Sequence, residues 1–300
     1  MPKPEIRLIA FDLDGTVLNT DKAITPRTRA ALDAAQKKGV FLLPATGRTL
    51  ANMQCCTDLP GRHLALTSNG AAIWDMGAAP AAAVFSRWGE NRGAAEGLLP
   101  PDAACLAAQP LPRATALAAL DALAPFLPGN LKAFVHGRSV SEAPSYAWEQ
   151  AHGSAGFHPG PGLTTVVESL PAYVAAHSGE VEKICMFFRD ADTLAAARRA
   201  LAAVPDIEVV QGAPDNLEVT APGVDKGSGL VLACRVLGIP PENVLAIGDS
   251  ENDWALLRAA GVSVAMANAT PETKALAQYI TAADNDHDGV AEAIEAFVPF

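Results

Sequence analysis

The segment whose reading decides the fold is IRLIAFDLDGT, residues 6–16: an apolar run delivers Asp12, Leu13, Asp14, Gly15 and Thr16 to its end. A strand followed by a polar turn accounts for the residue types, since Asp and Gly are ordinary turn formers. It does not account for two carboxylates two positions apart. Like charges this close stay ionised together only when something positive, such as a divalent metal, sits between them. A functional reading therefore requires partners further along the chain.

Working outward, short β-rich runs alternate with helical ones up to about residue 80. IRLIAF precedes the helix-like TPRTRAALDAAQKKG, in which Thr25 reads as N-cap, Pro26 as the first helical residue and Gly39 as the stop. VFLLPATG and HLALTSNGAAIW supply further strands. These runs are nearly continuous in apolar residues, as parallel strands covered on both faces must be. The same style returns near the end of the chain, where GSGLVLACRVLG, NVLAIGDSEND, DWALLRAAG and VSVAMANA read as helix, strand and loop, helix, and strand. The expectation is an α/β fold with a Rossmann-like parallel sheet built from residues 1–81 and 222–300, interrupted by an inserted domain at 82–221.

The insertion reads differently. Helices rich in Ala and Leu alternate with exposed-looking strands and Pro/Gly loops; VEKICMFFR and NLEVT read as strands, and GSAGFHPGPGL (residues 153–163) as loop. Leu194, Ala197, Leu201 and Val204 fall on one helical face, as do Leu117, Leu120, Ala124 and Leu127. Tyr146, Trp148, His152 and His158 flank or enter the loop and read as packing.

The chain has 300 residues, half of them apolar, and 33 Asp and Glu against 22 Lys and Arg, for a net charge of -11. That describes a globular protein with room for two domains and argues against nucleic-acid backbones and anionic membranes as partners. The first residues carry too short an apolar run for a signal peptide, and no uncharged stretch reaches membrane-spanning length, so a cytoplasmic location is expected. Five cysteines, with Cys55 and Cys56 adjacent and no C-x-x-C, read as reduced thiols; six scattered histidines have no ligand spacing.

Three later stretches supply the partners that the opening acids need. LLPATGR puts Thr46 at the end of the second strand, where its hydroxyl and the following N–H groups can hold an anion. GVDKG offers Lys226 at a helix start, and AIGDSEND puts Asp249 and Asp253 just past another buried strand. In open parallel sheets ligands sit beyond the carboxyl ends of the strands, so four separate segments can converge on one crevice. Singly each signal is weak; in this order, together, chance agreement is a poor account.

With these residues in place the sequence resembles the haloacid dehalogenase superfamily of phosphohydrolases, and within it the Cof-type subclass IIB phosphatases. The motifs are DLDGT, ATGR, VDKG and GDSENDWALL, and the tail GVSVAMANATPETKALAQYITAADNDHDGVAEAIE resembles the subclass as well. The resemblance implies a phosphoric monoester hydrolase in which Asp12 attacks phosphorus to form an aspartyl-phosphate. It implies Mg²⁺ held by Asp12, Asp249 and the backbone carbonyl of Asp14, leaving the Asp14 side chain free as general acid and base. Thr46 and Lys226 would hold the phosphoryl oxygens, with Asn252 as a further phosphate or ligand contact. Asp253 is open to two readings, a metal-site residue or the N-cap of the helix after it. Asn69 and Gly70 read as a structural turn, Asn268 as a support of the phosphate loop or as loop geometry, and Arg48 as a structural or substrate-border residue.

The implied substrate is a small phosphorylated metabolite such as a sugar phosphate, selected by the cap. A phosphomutase or phosphotransferase would share the core site and differ in the acceptor. A receiver-type signalling module also clusters acids, Thr and Lys on a parallel sheet, but the large insertion argues against it. Oligomeric state has no signature in the sequence.

Overall fold

The computed structural model describes residues 5–53, 59, 64–76, 104–152 and 163–299. Cys55, Cys56, His158, the 153–162 part of the loop and the expected boundary at residue 82 lie outside the described residues.

A five-stranded sheet runs in the order Tyr279–Ile280, Val262–Ala265, Val244–Gly248, Leu8–Phe11, Phe41–Pro44, parallel throughout. Successive residues of the interior strand Leu8–Phe11 enter opposite cores. Ile9 and Phe11 pack with Leu32 and Ile294, whereas Leu8 and Ala10 pack with Leu230 and Leu256. Helices Pro26–Lys37 and Gly289–Phe297 therefore cover one face, and Lys226–Leu237 and Trp254–Ala259 the other. The first helix starts as read: the Thr25 side chain accepts from the Thr28 N–H, Pro26 follows, and Gly39 takes φ 82° after the last turn. Both faces being apolar, polar function is left to the strand ends. Register decides which ends meet: Phe11 lies level with Ile247 and Pro44, so all three strands release their next residues at one height.

A second sheet runs Glu208–Val210, Asn216–Thr220, Val181–Phe187, Asn130–Val135, Arg138–Glu142, Thr164–Val167, antiparallel except for the last pair. Its strands alternate apart from one irregularity, where Phe134 pairs with Lys183 and Val135 with Val181. Leu131, Ala133, Ile184, Met186, Leu217 and Val219 face helices Arg113–Leu123, Leu170–Ala176 and Ala191–Leu201 in an apolar core. Lys132, Phe134, Cys185, Phe187, Asn216 and Glu218 take the other face, aligned across the strands as Lys132 with Cys185 and Glu218 with Cys185. The central strands are buried, contrary to the exposed character expected of them, because this polar face is closed over by the first domain's loops.

Leu194, Ala197 and Leu201 are buried on one helical face as read. The other helix departs from its reading. It ends at Leu123, with Pro125 starting a 3-10 turn, and buries Ala116, Ala119, Leu120 and Leu123, leaving Leu127 45% exposed. A third, antiparallel sheet joins Leu64–Thr67, Ala72–Asp75 and Ala104–Ala108. No described helix is long and apolar enough to cross a membrane.

Candidate active site

Asp12 leaves strand Leu8–Phe11 as a buried residue, and the next four residues fold back beside Asp249. Gly15 makes that approach possible: it has φ 80°, and a Cβ there would lie 2.6 Å from Asp249 Oδ2. The Thr16 hydroxyl donates to Asp249 Oδ1 at 2.8 Å, and Asn268 Nδ2 donates to the Gly15 carbonyl at 2.7 Å. Asn268 thus supports the acidic loop directly.

Lys226 is the first residue of a helix whose N-terminus is fixed by a capping box between Asp225 and Ser228. Its fully buried ammonium donates to Asp12 Oδ1 and to Asp253 Oδ1, both at 2.6 Å. Burial pulls this lysine's pKa down, and the charges of Asp12 and then Asp253 outweigh it, so the group lies above the ordinary lysine value. Asp253 does not cap the helix that follows with its own side chain. It stands at the cap position with helical backbone angles but gives that helix no side-chain cap bond; Oδ2 accepts from the N–H groups of Asp249 at 2.9 Å and Ser250 at 3.2 Å, the latter as its half of a capping box with Ser250 at the 3-10 turn Glu251–Asp253. One carboxylate so fixes both the Asp249 loop and the lysine.

Carboxylate oxygens of Asp12, Asp249 and Asp253 lie within 4.8 Å of one another. Burial first, then the neighbouring acids, raises Asp12 well above its ordinary value despite Lys226, and pushes Asp249 up to about 7. Three carboxylates share one ammonium, so the cluster is short of positive charge. That donor set, all oxygen and net anionic, fits a hard divalent cation such as Mg²⁺.

Asp14 is not free. Arg48 grips its carboxylate through Nε and Nη2, each at 2.6 Å, and Lys22 Nζ adds a third contact at 2.9 Å. Burial pulls the Asp14 pKa up, but the charge and hydrogen bonds of Arg48, then Lys22, hold it well below the usual carboxylate range. The side chain expected to be free of the metal for acid–base work is thus engaged by Arg48 and Lys22, and a bidentate guanidinium stabilises its ionised form. Thr46 is buried at its strand end, its Oγ1 accepting from the Arg48 N–H at 3.1 Å. Asn252 donates to Asn69 Oδ1 at 3.3 Å and accepts from the Ser250 hydroxyl at 2.9 Å.

A cavity of about 110 Å³ lies between the two domains. Asp12, Asp14, Thr46, Arg48 and Asn252 form one wall; Lys132, Phe134, Cys185, Phe187, Asn216 and Glu218 form the other. Lys226, Asp249 and Asp253 stand behind the first wall, reached through Asp12. The walls are bonded together. Lys183 donates to Glu218 Oε1 at 2.5 Å and to the Gly47 carbonyl, and Asn69 Nδ2 donates to Glu218 Oε2 at 2.6 Å. Asn69 has φ 57°, so its turn is a structural feature as read, and its side chain also couples the domains.

Sequence reasoning missed Lys22, Lys183 and Glu218 and gave Arg48 too small a part. Charged residues inside the otherwise apolar VEKICMFF and NLEVT were the available signal for two of them. Lys22 had none, since its reach to Asp14 depends on a turn with φ 60°.

A parallel sheet with an acid cluster at its strand ends and a second domain closing over it defines a phosphohydrolase of the haloacid dehalogenase type. The chain belongs to the haloacid dehalogenase-like hydrolases, whose family model matches residues 9–81 and 171–294. It is a phosphoric monoester hydrolase of Cof type, similar over 98% of its length, at 28% identity, to the 5-amino-6-(5-phospho-D-ribitylamino)uracil phosphatase YcsE of Bacillus subtilis, 96% of which is covered. It is 30% identical to the HMP-PP phosphatase of Cronobacter sakazakii, with 89% of this chain and 86% of that one covered. Among solved structures, the HAD subclass IIB sugar phosphatase BT4131 shares the fold, with a TM-score of 0.74 and 23% identity over 97% of this chain and 98% of the other.

Proposed function

We propose that the protein is a magnesium-dependent phosphatase of small phosphorylated metabolites, sugar phosphates among them, working through an aspartyl-phosphate on Asp12. The observation that carries this reading is the convergence of Asp12, Asp249 and Asp253 around the Lys226 ammonium, with Asp12 opening onto the cavity. Asp12 is the one acid of that cluster that lines the cavity, which makes it the nucleophile.

Asp12 and Asp249 would hold Mg²⁺, with the Asp14 carbonyl and with Asp253 orienting them; when bound, it neutralises charge between nucleophile and substrate. Lys226 opposes the burial and the neighbouring acids that raise Asp12, favouring its ionised, attacking form, and supplies positive charge behind the nucleophile as the phosphoryl group arrives. Thr46 and the N–H groups after it receive the same oxygens, and Asn252 orients the rim. Arg48 and Lys22 hold Asp14 as a carboxylate until the substrate's oxygens compete for the guanidinium. Asp14 is then released to take a proton, give it to the leaving oxygen, and take one from water in the second step. Residues 82–221 form the cap in this reading, with strand Ala104–Ala108 as its tether to the core.

The test is stereochemical. Two successive in-line displacements at phosphorus restore its configuration, so an isotopically chiral phosphate monoester should release phosphate with net retention. Net inversion would mean direct attack by water and would remove Asp12 as nucleophile.

A further inference from the structure

Cations and acids around the cavity are matched in unequal numbers. Asp12, Asp249 and Asp253 have one ammonium among them, that of Lys226. In the second sheet Lys183 has Glu218 and Lys132 has Glu149, one lysine to one acid. At Asp14 the proportion is reversed, because Arg48 and Lys22 share a single carboxylate. Arg48 Nη2 at 2.6 Å and Lys22 Nζ at 2.9 Å converge on the same oxygen, Oδ1. All three residues line the cavity.

The two cations are held differently. Arg48 is anchored: its side chain is 9% exposed, and its guanidinium also donates to the Asn52 carbonyl at 3.1 Å. The Lys22 side chain is 26% exposed, and among the described residues Asp14 is the only partner of its ammonium. Its direction is nevertheless fixed. Lys22 takes φ 60°, an uncommon conformation for a residue with a side chain, and its N–H donates to the Asn19 carbonyl at 2.9 Å. A later loop braces this turn. The Thr20 N–H and hydroxyl donate to Asp286 at 2.6 and 2.7 Å, and Asn285 Nδ2 donates to the Leu18 carbonyl at 3.0 Å. A strained, braced turn that aims a cation into the cavity is a built feature, unlike an ordinary surface ion pair.

Two like charges meet at one oxygen only while an anion stands between them. When Asp14 turns to the leaving oxygen, that anion goes with it. Arg48 keeps the Asn52 carbonyl, whereas Lys22 keeps no partner. The replacement must be anionic and already in the cavity when Asp14 moves. A phosphoryl group meets both conditions and needs the charge. The three ionised acids less Lys226 carry two negative charges, which a divalent cation matches, so the cluster has none to spare for a phosphate dianion. Resting on the phosphatase reading above, we propose that Lys22 is a phosphoryl-binding residue. Its ammonium exchanges the Asp14 carboxylate for a non-bridging oxygen of the substrate's phosphoryl group, and the exchange frees Asp14 for the leaving group.

The experiment compares the full-length wild type with Lys22→Met in the presence of Mg²⁺. It measures kcat and KM for a hexose monophosphate, an aryl phosphate and phosphoglycolate, and Ki for inorganic phosphate. Lys22→Met should raise Ki for phosphate and KM for all three esters by about tenfold or more, the effect of losing one charge-assisted hydrogen bond. The aryl phosphate decides the matter, because it needs no proton from Asp14 as its bond breaks. Lys22→Arg, which restores the charge, should recover most of both constants. KM and Ki are independent of the fraction of a preparation that is folded, and Lys22→Gln supplies a second neutral variant. A fall in kcat for the hexose ester alone, with Ki unmoved, would mean that Lys22 only orients Asp14, and overturns the proposal. So would a loss confined to phosphoglycolate, which would place the bound anion on the leaving group, or a Lys22→Arg variant that recovers neither constant. Phosphate release with KM and Ki unmoved in the neutral variants overturns the role of Lys22 alone. No release from any ester by the wild type overturns the phosphatase reading and the role of Lys22 with it.

Discussion

The two walls of the cavity solve the problem of presenting polar groups in opposite ways. In the core, the parallel strands are apolar on both faces, and every polar group of the site stands just past a strand end or at a helix start, as Asp12, Thr46, Lys226 and Asp249 do. In the cap, the mostly antiparallel sheet sets one face against an apolar core and turns the other toward the first domain and helix Ala143–His152, so Lys132, Lys183 and Glu218 project from the middle of strands. Strand ends allow a cluster to be assembled from distant segments at one height, which suits an invariant chemical step. A sheet face spreads side chains over an area, which suits reading the shape and polarity of a leaving group.

If that division holds, changes in the core act on all substrates alike. Asp12→Asn should reduce turnover of every ester by roughly three or more orders of magnitude while the circular dichroism stays native. A folded variant that keeps wild-type rates on any ester breaks the comparison at its root. Asp14→Asn should slow alkyl phosphates by about 10²-fold or more and aryl phosphates much less, because only poor leaving groups need a proton as the bond breaks. Equal losses on both would confine Asp14 to binding Arg48 and Lys22.

Two lysines sharpen the comparison. Lys226→Met and Lys183→Met each strand buried carboxylate and should cost about 3–5 kcal/mol in denaturant unfolding. Their kinetics should part: the first lowers kcat for every ester, whereas the second, cutting the seam between Glu218 and Gly47, raises KM first. Matching kcat losses would erase the distinction between the walls.

The smallest effect is a pH dependence. Asp249 is pushed up to about 7 and Asp12 is raised as well. Groups raised in the folded state favour the fold at low pH, and that contribution is lost as pH rises through the folded value. In EDTA, Tm should therefore fall by a few degrees between about pH 4 and 7, and Mg²⁺ should restore more of it at the higher pH. A flat profile, equal with and without Mg²⁺, would mean that the cluster is neither strained nor relieved by a cation.

Much of this was legible from the chain alone. Continuous apolar runs followed by DLDGT, ATGR and GDSEND announce strands and their loaded ends, because hydrophobic pattern is local and turn chemistry is local. The N-cap at Thr25 and the buried stripe of Leu194, Ala197 and Leu201 followed from the same local rules. The helix containing Leu117 did not, since its end at Leu123 is set by Pro125 and its buried face by the sheet beneath it. Asp253 shows the limit most clearly. By sequence it could cap the helix after it; only the fold brings Lys226 from 27 residues away to 2.6 Å and turns the carboxylate inward. Arg48 and Lys22 likewise reach Asp14 across 34 and 8 residues, and the Lys183–Glu218–Asn69 seam joins three segments. The sequence determined which residues stand at which strand ends. Which charges pair there was decided by tertiary structure, because ion pairing in a buried site depends on distances and desolvation that no local pattern encodes.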